Sequence, residues 1–514
     1  NYIFSNQKGM RFEDVTEEWG LKESNNSNGA GYGDLDNDGD LDLVVNNINA
    51  PVSVYRNNSN GINNFLQIKL IGTKKNRQSL GAKITLFTNG LKQVKEQFTT
   101  RGYLSSVSPI LHFGLGKIEK IDSIQIQWSD GSYYIKKNIG VNQQININKS
   151  EITPETNQKP NTKTWFTSLE NKINYTHEVK NVLDFNRQKL LHFQPSYDGP
   201  PLAKGDLNQD GKEDFVIGGS QGQLSQIWFQ NQDGSFLQKN INTFINNQNA
   251  VVTDIGLVDL DSDGDLDIYL ANGGYHNFKD GDEKLKDQVY LNNGNGDFTL
   301  QNNNNNKFAA EVSAVIAIKD FNNNGSPDIF VAGGIIPGSY PNHYPNKLFF
   351  NDGKGNLVND NNQTETLNNI KGIVRDALWT DLDKDGFQDL IVIGEWMPVT
   401  VFLNRKGVLE KQSNYFSDPQ TSEGWWNTIS STDLNNDGQL DFILGNEGIN
   451  NPFNASSLQP IQIHYDDFDQ NGSIDPIISY HIQDKAYPLA TRDALLAQLL
   501  MLKSVYPSYT SYDE

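Results

Sequence analysis

Cysteine is absent from all 514 residues, methionine occurs 3 times and histidine 7 times. Without cysteine there are no disulfides and no thiolate metal sites, so any cross-links in an exported form of this chain are ionic. With few histidines, zinc and other transition metals lack their usual ligands. No apolar run is long enough to cross a bilayer as a helix. Positive charge is short as well: 42 Lys and Arg against 63 Asp and Glu leave a formal charge of −21. That balance argues against a nucleic-acid partner and against charge-driven docking on anionic lipid. No Gly-x-x-x-x-Gly-Lys phosphate cradle and no His-Glu-x-x-His zinc signature occurs.

What is abundant is aspartate in one pattern. The stretch Asp259-Leu260-Asp261-Ser262-Asp263-Gly264-Asp265-Leu266-Asp267 puts carboxylates at loop positions one, three, five and nine, with a glycine at six where the chain must turn. The pattern recurs at Asp34, Asp36, Asp38 and Asp42; Asp206, Asn208, Asp210 and Asp214; and Asp320, Asn322, Asn324 and Asp328. It recurs again at Asp381, Asp383, Asp385 and Asp389; Asp433, Asn435, Asp437 and Asp441; and Asp467, Asp469, Asn471 and Asp475. Two loops add a further carboxylate at position seven, Asp40 and Asp265. Clustered hard oxygen donors in a flexible loop call for a cation, and Ca²⁺ suits them better than Mg²⁺, which keeps much of its water. An EF-hand would need Glu at position twelve and flanking helices, whereas position twelve here is Leu270 and the flanks are apolar β-formers. The loops are therefore expected to join strands. Up to seven Ca²⁺ sites follow, the Asp320 loop weakest because it offers two amides, and full occupancy would bring the charge of −21 to about −7.

A second repeat accompanies the loops. Segments such as Ile227 to Phe236, Val289 to Phe298, Leu348 to Leu357 and Val401 to Leu409 read as strand, Asn/Gly turn, strand. Tyr2 to Phe12 fits the same pattern. Loop plus hairpin makes about four short strands, and the loops from Asp206 to Asp433 recur about every 50 to 60 residues, which is the rhythm of propeller blades. The expected organisation is all-β: residues 1–56 a terminal blade of an earlier propeller, 57–150 a small inserted β domain, 151–164 a linker, and 165–514 a second propeller, incomplete at its end. Strands are expected at Phe65 to Ile71, Ala82 to Thr88, Ile121 to Trp128 and Gln143 to Ile147, and one helix over 489–503. The chain opens in mid-repeat, so a fragment lacking its targeting segment is expected.

The loops resemble FG-GAP/VCBS repeats, the calcium-binding propeller repeats also seen in integrin α subunits. The middle domain resembles the ASPIC/UnbV domain through Asn76-Arg77, Gly81-Ala82, Gly102-Tyr103, His112 to Gly116 and Trp128 to Gly131. With Gly394 to Pro398, Gly424 to Asn427 and Tyr487 to Asp493, the combination is similar to large VCBS-repeat surface proteins of Gram-negative bacteria. That likeness implies a lipid-anchored protein on the outer face of the outer membrane, an accessory of a transporter complex for glycan or peptide uptake. The expected role is a non-catalytic, calcium-stabilised binding or scaffold protein, with other surface proteins and glycan as candidate partners.

The alternative is a glycan-active enzyme, a polysaccharide lyase or hydrolase on the same propeller, which needs two carboxyls about 5 to 10 Å apart in a Trp-lined cleft. Carboxylates, cations and rings outside the loops include Glu395, Glu423, Glu447, Arg375 and His464, and no spacing pairs them. Glu395-Trp396 and Trp425-Trp426 are expected as blade residues, His112 as a hydrogen-bonded structural residue and Arg77 as an anchor within its domain.

Overall fold

The computed structural model describes every residue except 1, 8–10, 22, 24–25, 154, 157–164, 167–172, 198, 240–241, 302–307, 414, 416–421, 449–450, 452, 454 and 514. The protein divides into two compact units, Asn1–Thr167 and Ser168–Glu514. Most of the expected linker over 151–164 lies outside the described residues. Its described part includes Glu155–Thr156, a short strand paired with Ser132 and Tyr133.

In the first unit, a hairpin of Phe4–Asn6 and Phe12–Asp14 precedes a three-stranded sheet over 27–55. Then two sheets face each other. One has five strands, with Lys120–Gln127 between Ser132–Gly140 and Lys83–Thr88; the other has three, with Asn64–Ile71 between Gln143–Asn148 and Ile110–Gly116. Alternation explains the packing: Leu66, Ile68 and Leu70 from one sheet meet Ile84, Leu86, Ile124 and Ile126 from the other in a single apolar core. The four expected strands are present, and Leu91–Glu96, Ile110–Gly116 and Ser132–Gly140 are additional. Leu91–Glu96 escapes the apolar pattern because it is a largely exposed edge strand, paired with Lys83–Thr88 across Asn89-Gly90.

In the second unit, three successive antiparallel sheets of four strands cover 202–239, 251–300 and 313–359. A further sheet over 373–412 continues through Asp389–Pro398 into the pair Glu423–Thr432 and Asp441–Asn446, and three strands cover 462–488. Among the described residues no sheet closes on itself. Innermost strands of successive sheets lie side by side, and one apolar cluster spans each neighbouring pair of sheets from 202 to 446. This is why the second strands read as unbroken apolar runs. Asp267–Gly273 and Asp328–Gly333 are buried along their whole length, covered on both faces by the neighbours.

The asparagine that ends the third strand stitches one sheet to the one before it. Asn292 donates its Nδ2 to Leu207 O at 2.9 Å, Asn351 to Leu260 O at 2.9 Å and Asn404 to Phe321 O at 2.6 Å. Each acceptor is the carbonyl at position two of the preceding acidic loop. The expected helix over 489–503 is shorter than the apolar pattern suggests. An α-helix covers Arg492–Gln498, capped by the Thr491 side chain on Ala494 N, and the chain leaves helical geometry at Leu499 before a 3₁₀ turn at Leu500–Ser504. Leu495, Leu496 and Leu499 are buried while Leu500 and Met501 face solvent, so a longer helix had no surface to pack on. A second helix, Asn361–Leu367, begins at Asp360, whose side chain caps the amides of Asn362 and Gln363; its Asn-rich sequence gave no apolar signal.

Replacing Asn404 by Ala leaves the buried carbonyl of Phe321 and the half-buried carbonyl of Gln388 without their donor. The expected loss is about 2–3 kcal/mol, read as a lower urea midpoint at unchanged slope. Gln232→Ala, at an exposed turn, is expected to stay within about 0.5 kcal/mol.

Candidate metal centres

Each acidic loop joins two antiparallel neighbouring strands and closes in the same way. The carboxylate at position one accepts the amides of positions five and six: Asp259 takes Asp263 N at 3.2 Å and Gly264 N at 3.0 Å. The same pair of bonds recurs at Asp34, Asp206, Asp320, Asp381, Asp433 and Asp467. Glycine at six sits at positive φ, from 82° at Gly438 to 100° at Gly39. Position four is left-handed too, although it is never glycine: Asn37, Gln209, Ser262, Asn323, Lys384, Asn436 and Gln470 lie between 57° and 63°. The sequence assigned the turn to glycine alone, and the second left-handed residue carries no fixed side chain by which to find it.

This closure brings ligand oxygens together in four loops. Asp34, Asp36 and Asp38; Asp259, Asp261 and Asp263; Asp381, Asp383 and Asp385; and Asp467, Asp469 and Asp475 each place three carboxylate oxygens within 4.8 Å of one another. The loops at Asp206, Asp320 and Asp433 carry Asn208, Asn322 and Asn435 at position three, which supplies an amide oxygen in place of a carboxylate. Four carboxylate oxygens in these loops are buried with no hydrogen-bond partner among the described residues: Asp40 Oδ1, Asp261 Oδ1, Asp265 Oδ1 and Asp328 Oδ2. Buried anionic oxygens facing like charges fit a bound hard cation. Two of these loops also carry a basic counterion: Arg56 reaches Asp36 at 3.1 Å, and Arg405 pairs with Asp383 and Asp385.

Position nine does more structural work than the sequence implied. Asp267 is fully buried and accepts Leu260 N at 2.8 Å through one oxygen and Asn292 N at 2.8 Å through the other. Asp42, Asp214 and Asp389 hold the same two bonds. Asp328 takes Asn351 N, while Asp441 and Asp475 take the position-two amide of their own loops. This carboxylate therefore ties its loop to the end of the third strand, whichever oxygen lone pairs remain for an ion.

Two aspartates escaped the sequence because each stands alone in an apolar strand. Asp254 and Asp376 sit at bulges in innermost strands and clamp the next strand, accepting Ile316 N and Ile429 N at 2.8 Å. Register also pairs two groups that no spacing linked: Arg375 donates to Glu395 Oε1 at 2.7 Å, and the Tyr340 hydroxyl donates to Oε2 at 3.2 Å. Trp396, at φ of 60°, donates to that hydroxyl at 2.7 Å. Trp425 stacks on His192 while Trp426 packs into the neighbouring core, on opposite sides of the strand. Glu423, Glu447 and His464 do not join this cluster. His112 differs from expectation, since its buried Nδ1 has no hydrogen-bond partner among the described residues and the ring instead stacks on Phe65 at 5.6 Å. Arg77 anchors its turn through its carbonyl, which accepts Gly72 N, and not through its exposed side chain. Gly218-Gly219-Ser220-Gln221-Gly222 has a hydrolase-like spacing, but the Ser220 hydroxyl donates to the Glu178 carbonyl, and among the described residues no hydrogen bond joins it to a base.

Burial, then the neighbouring carboxylates, pushes Asp265 up to about 6. Burial pushes Asp267 and Asp328 to about 7, against the amide bonds that lower them. In the unfolded chain these groups return to about 3.9. Between these limits the fold binds more protons than the unfolded chain, so ion-free stability falls as pH rises through 6 to 7. In chelator, the melting midpoint is expected to be higher at pH 5.5 than at pH 7.5 by about 5 °C; an unchanged or lower midpoint would contradict this.

Comparison with known proteins finds two families in the chain. Residues 72–154 match the family model ASPIC and UnbV, and the FG-GAP-like repeat model matches 206–270, 259–331, 320–392 and 381–444. Cartilage acidic protein 1 of Homo sapiens is 34% identical over 102 residues, 19% of this chain and 15% of that protein. The Xenopus tropicalis protein of that name is 30% identical over 144 residues, 26% of this chain and 22% of its own length. The chain thus spans only a minor part of these relatives. The solved structure of rhamnogalacturonan lyase YesW aligns over 91% of this chain and 76% of its own at 11% identity, with a TM-score of 0.30. The acidic loops at 206, 259, 320 and 381 open the four matched repeats, and the two-sheet sandwich holds the remaining match; the chain is an FG-GAP-repeat protein that carries an ASPIC and UnbV domain.

Proposed function

We propose that this protein is an extracellular, calcium-stabilised binding or scaffold protein without catalytic activity. The observation that carries the reading is the acidic loop itself. Seven loops share one closure, and four of them gather three carboxylate oxygens in reach of one ion. Ca²⁺ is the ion of choice, because the donors are oxygens held in flexible turns and no thiolate exists to favour a softer metal. Bound to the folded loop only, the ion adds stability by mass action and relieves repulsion among the carboxylates. FG-GAP repeats and the likeness to Cartilage acidic protein 1 support the extracellular setting, where calcium is plentiful enough for weak sites. No helix among the described residues is long and apolar enough to cross a membrane.

The finer proposal is a bacterial surface protein, lipid-anchored outside the given residues, that serves an outer-membrane uptake complex for glycan or peptide. The enzyme alternative draws on Glu395, which lies beside Trp396 near Trp425; its two oxygens are engaged by Arg375 and Tyr340, an arrangement that suits a held strand better than an acid awaiting substrate.

Two outcomes are expected. At pH 7.5, millimolar Ca²⁺ raises the melting midpoint over chelator by about 10 °C, and an equal midpoint would end the structural role of the ion. Affinity purification from detergent-solubilised envelope brings down a membrane transporter in stoichiometric amount; recovery of the protein alone would remove the uptake-complex proposal and leave the calcium role standing.

A further inference from the structure

Away from the acidic loops, one cavity of the second unit has a lining of the opposite sign. This cavity, of about 230 Å³, opens where the strands Val251–Val258, Ser313–Lys319 and Ile373–Thr380 begin. The acidic loops follow the other ends of the same strands, about 20 Å away at the usual rise per residue. Lys180, Arg375, His177 and His276 line the cavity, and no carboxylate does among the described residues. In a chain with 63 acidic and 42 basic residues, a lining of this sign is not the average surface.

The acids stand behind the lining and fix its donors. Asp184 is fully buried and accepts Ser196 N and Ser196 Oγ at 2.8 Å, and it holds His276 Nδ1 at 3.1 Å. That contact places the imidazole proton on Nδ1 and leaves Nε2 as the other hydrogen-bonding atom. His177 Nδ1 is engaged in the same manner, by the Tyr175 hydroxyl at 3.0 Å. Glu395 balances Arg375 from the far side, so among the described residues the lining holds about one uncompensated positive charge, that of the exposed Lys180. The rest of the wall is mixed: Ser220, Gln221, Thr253 and Asn277 are polar, and Val251, Val312, Ile335, Ile373 and the Tyr275 and Phe278 rings form its apolar part.

We infer that this cavity binds a small organic carboxylate, an apolar body ending in a single carboxylate, whether a free acid or the C-terminal residue of a peptide. One negative charge matches the one unbalanced cation, the imidazoles supply hydrogen bonds, and the apolar part of the wall takes the body. A dianion would exceed the available charge.

Titration calorimetry on the whole chain tests this with N-acetylphenylalanine, its neutral amide, the tripeptide Gly-Gly-Phe and inorganic phosphate. The acid or the tripeptide is expected to bind at sub-millimolar concentration, and the amide of the acid about tenfold more weakly. Tighter binding of the tripeptide assigns the site to peptide C-termini, and tighter binding of the acid assigns it to free acids. Lys180→Glu, at an exposed position, is expected to keep the melting midpoint and lose about tenfold in affinity. His276→Gln is expected to weaken binding as well. The inference is overturned if neither carboxylate binds, if the amide binds as tightly as the acid, if phosphate binds in their place, or if Lys180→Glu changes nothing. The cavity shares no residue with the acidic loops, so it stands or falls apart from the calcium reading.

Discussion

In four successive repeats of the second unit, a fully buried carboxylate holds the sheet to its loop: Asp214, Asp267, Asp328 and Asp389. Asp267 bridges the amide of Leu260 in its own loop and the amide of Asn292 at the end of the third strand. Asn292 in turn reaches back to Leu207 O in the loop of the preceding sheet. The chain of contacts thus runs loop, strand, neighbouring loop, and repeats through Asp328 with Asn351 and Asp389 with Asn404. Apolar stacking between sheets supplies most of the burial, but it is non-directional. These hydrogen bonds fix how far each sheet is turned relative to the next, because a buried carbonyl without its donor is costly.

The same construction creates an electrostatic conflict. Closing the loop on position one draws three carboxylates to within 4.8 Å of one another in four of the loops. Burial, with repulsion added to it, favours protonation, which is why Asp265 is pushed up to about 6 and Asp267 to about 7. Arginine relieves the conflict locally, Arg56 beside Asp36 and Arg405 beside Asp383 and Asp385. The Asp259 loop has no such ion pair among the described residues. It is the loop in which a divalent ion has the most repulsion to relieve.

Much of this architecture was legible in the sequence because the signal was local and repeated. Acidic residues at fixed phase marked the loops, and turns rich in Asn, Asp and Gly between β-formers marked the hairpins at Gln226–Gln230 and Lys347–Asn351. What could not be read depends on register or on distant partners. Arg375 and Glu395 meet only because antiparallel pairing brings neighbouring strands of one sheet into line. The segment around Asp184, Arg187 and Gln188 has little regular structure, yet Arg187 donates to carbonyls of Tyr275, His276, Phe278 and Pro337, and Gln188 donates to those of Tyr340 and Ile474. No spacing in a single sequence announces such bonds. Leu91–Glu96 was missed for a different reason, since a polar edge strand lacks alternation.

The two ends of the innermost strands therefore carry different chemistry: acidic cages at one end and a cavity with a basic and partly apolar lining at the other. The claim on which the rest depends is that the cages hold ions. Anomalous difference density from crystals grown with a lanthanide or calcium addresses it directly. The account predicts peaks at about 2.3–2.6 Å from the carboxylate oxygens of Asp259, Asp261 and Asp263, with peaks in the Asp34, Asp381 and Asp467 loops. Density without such peaks at saturating ion, with these side chains turned to solvent, would contradict it.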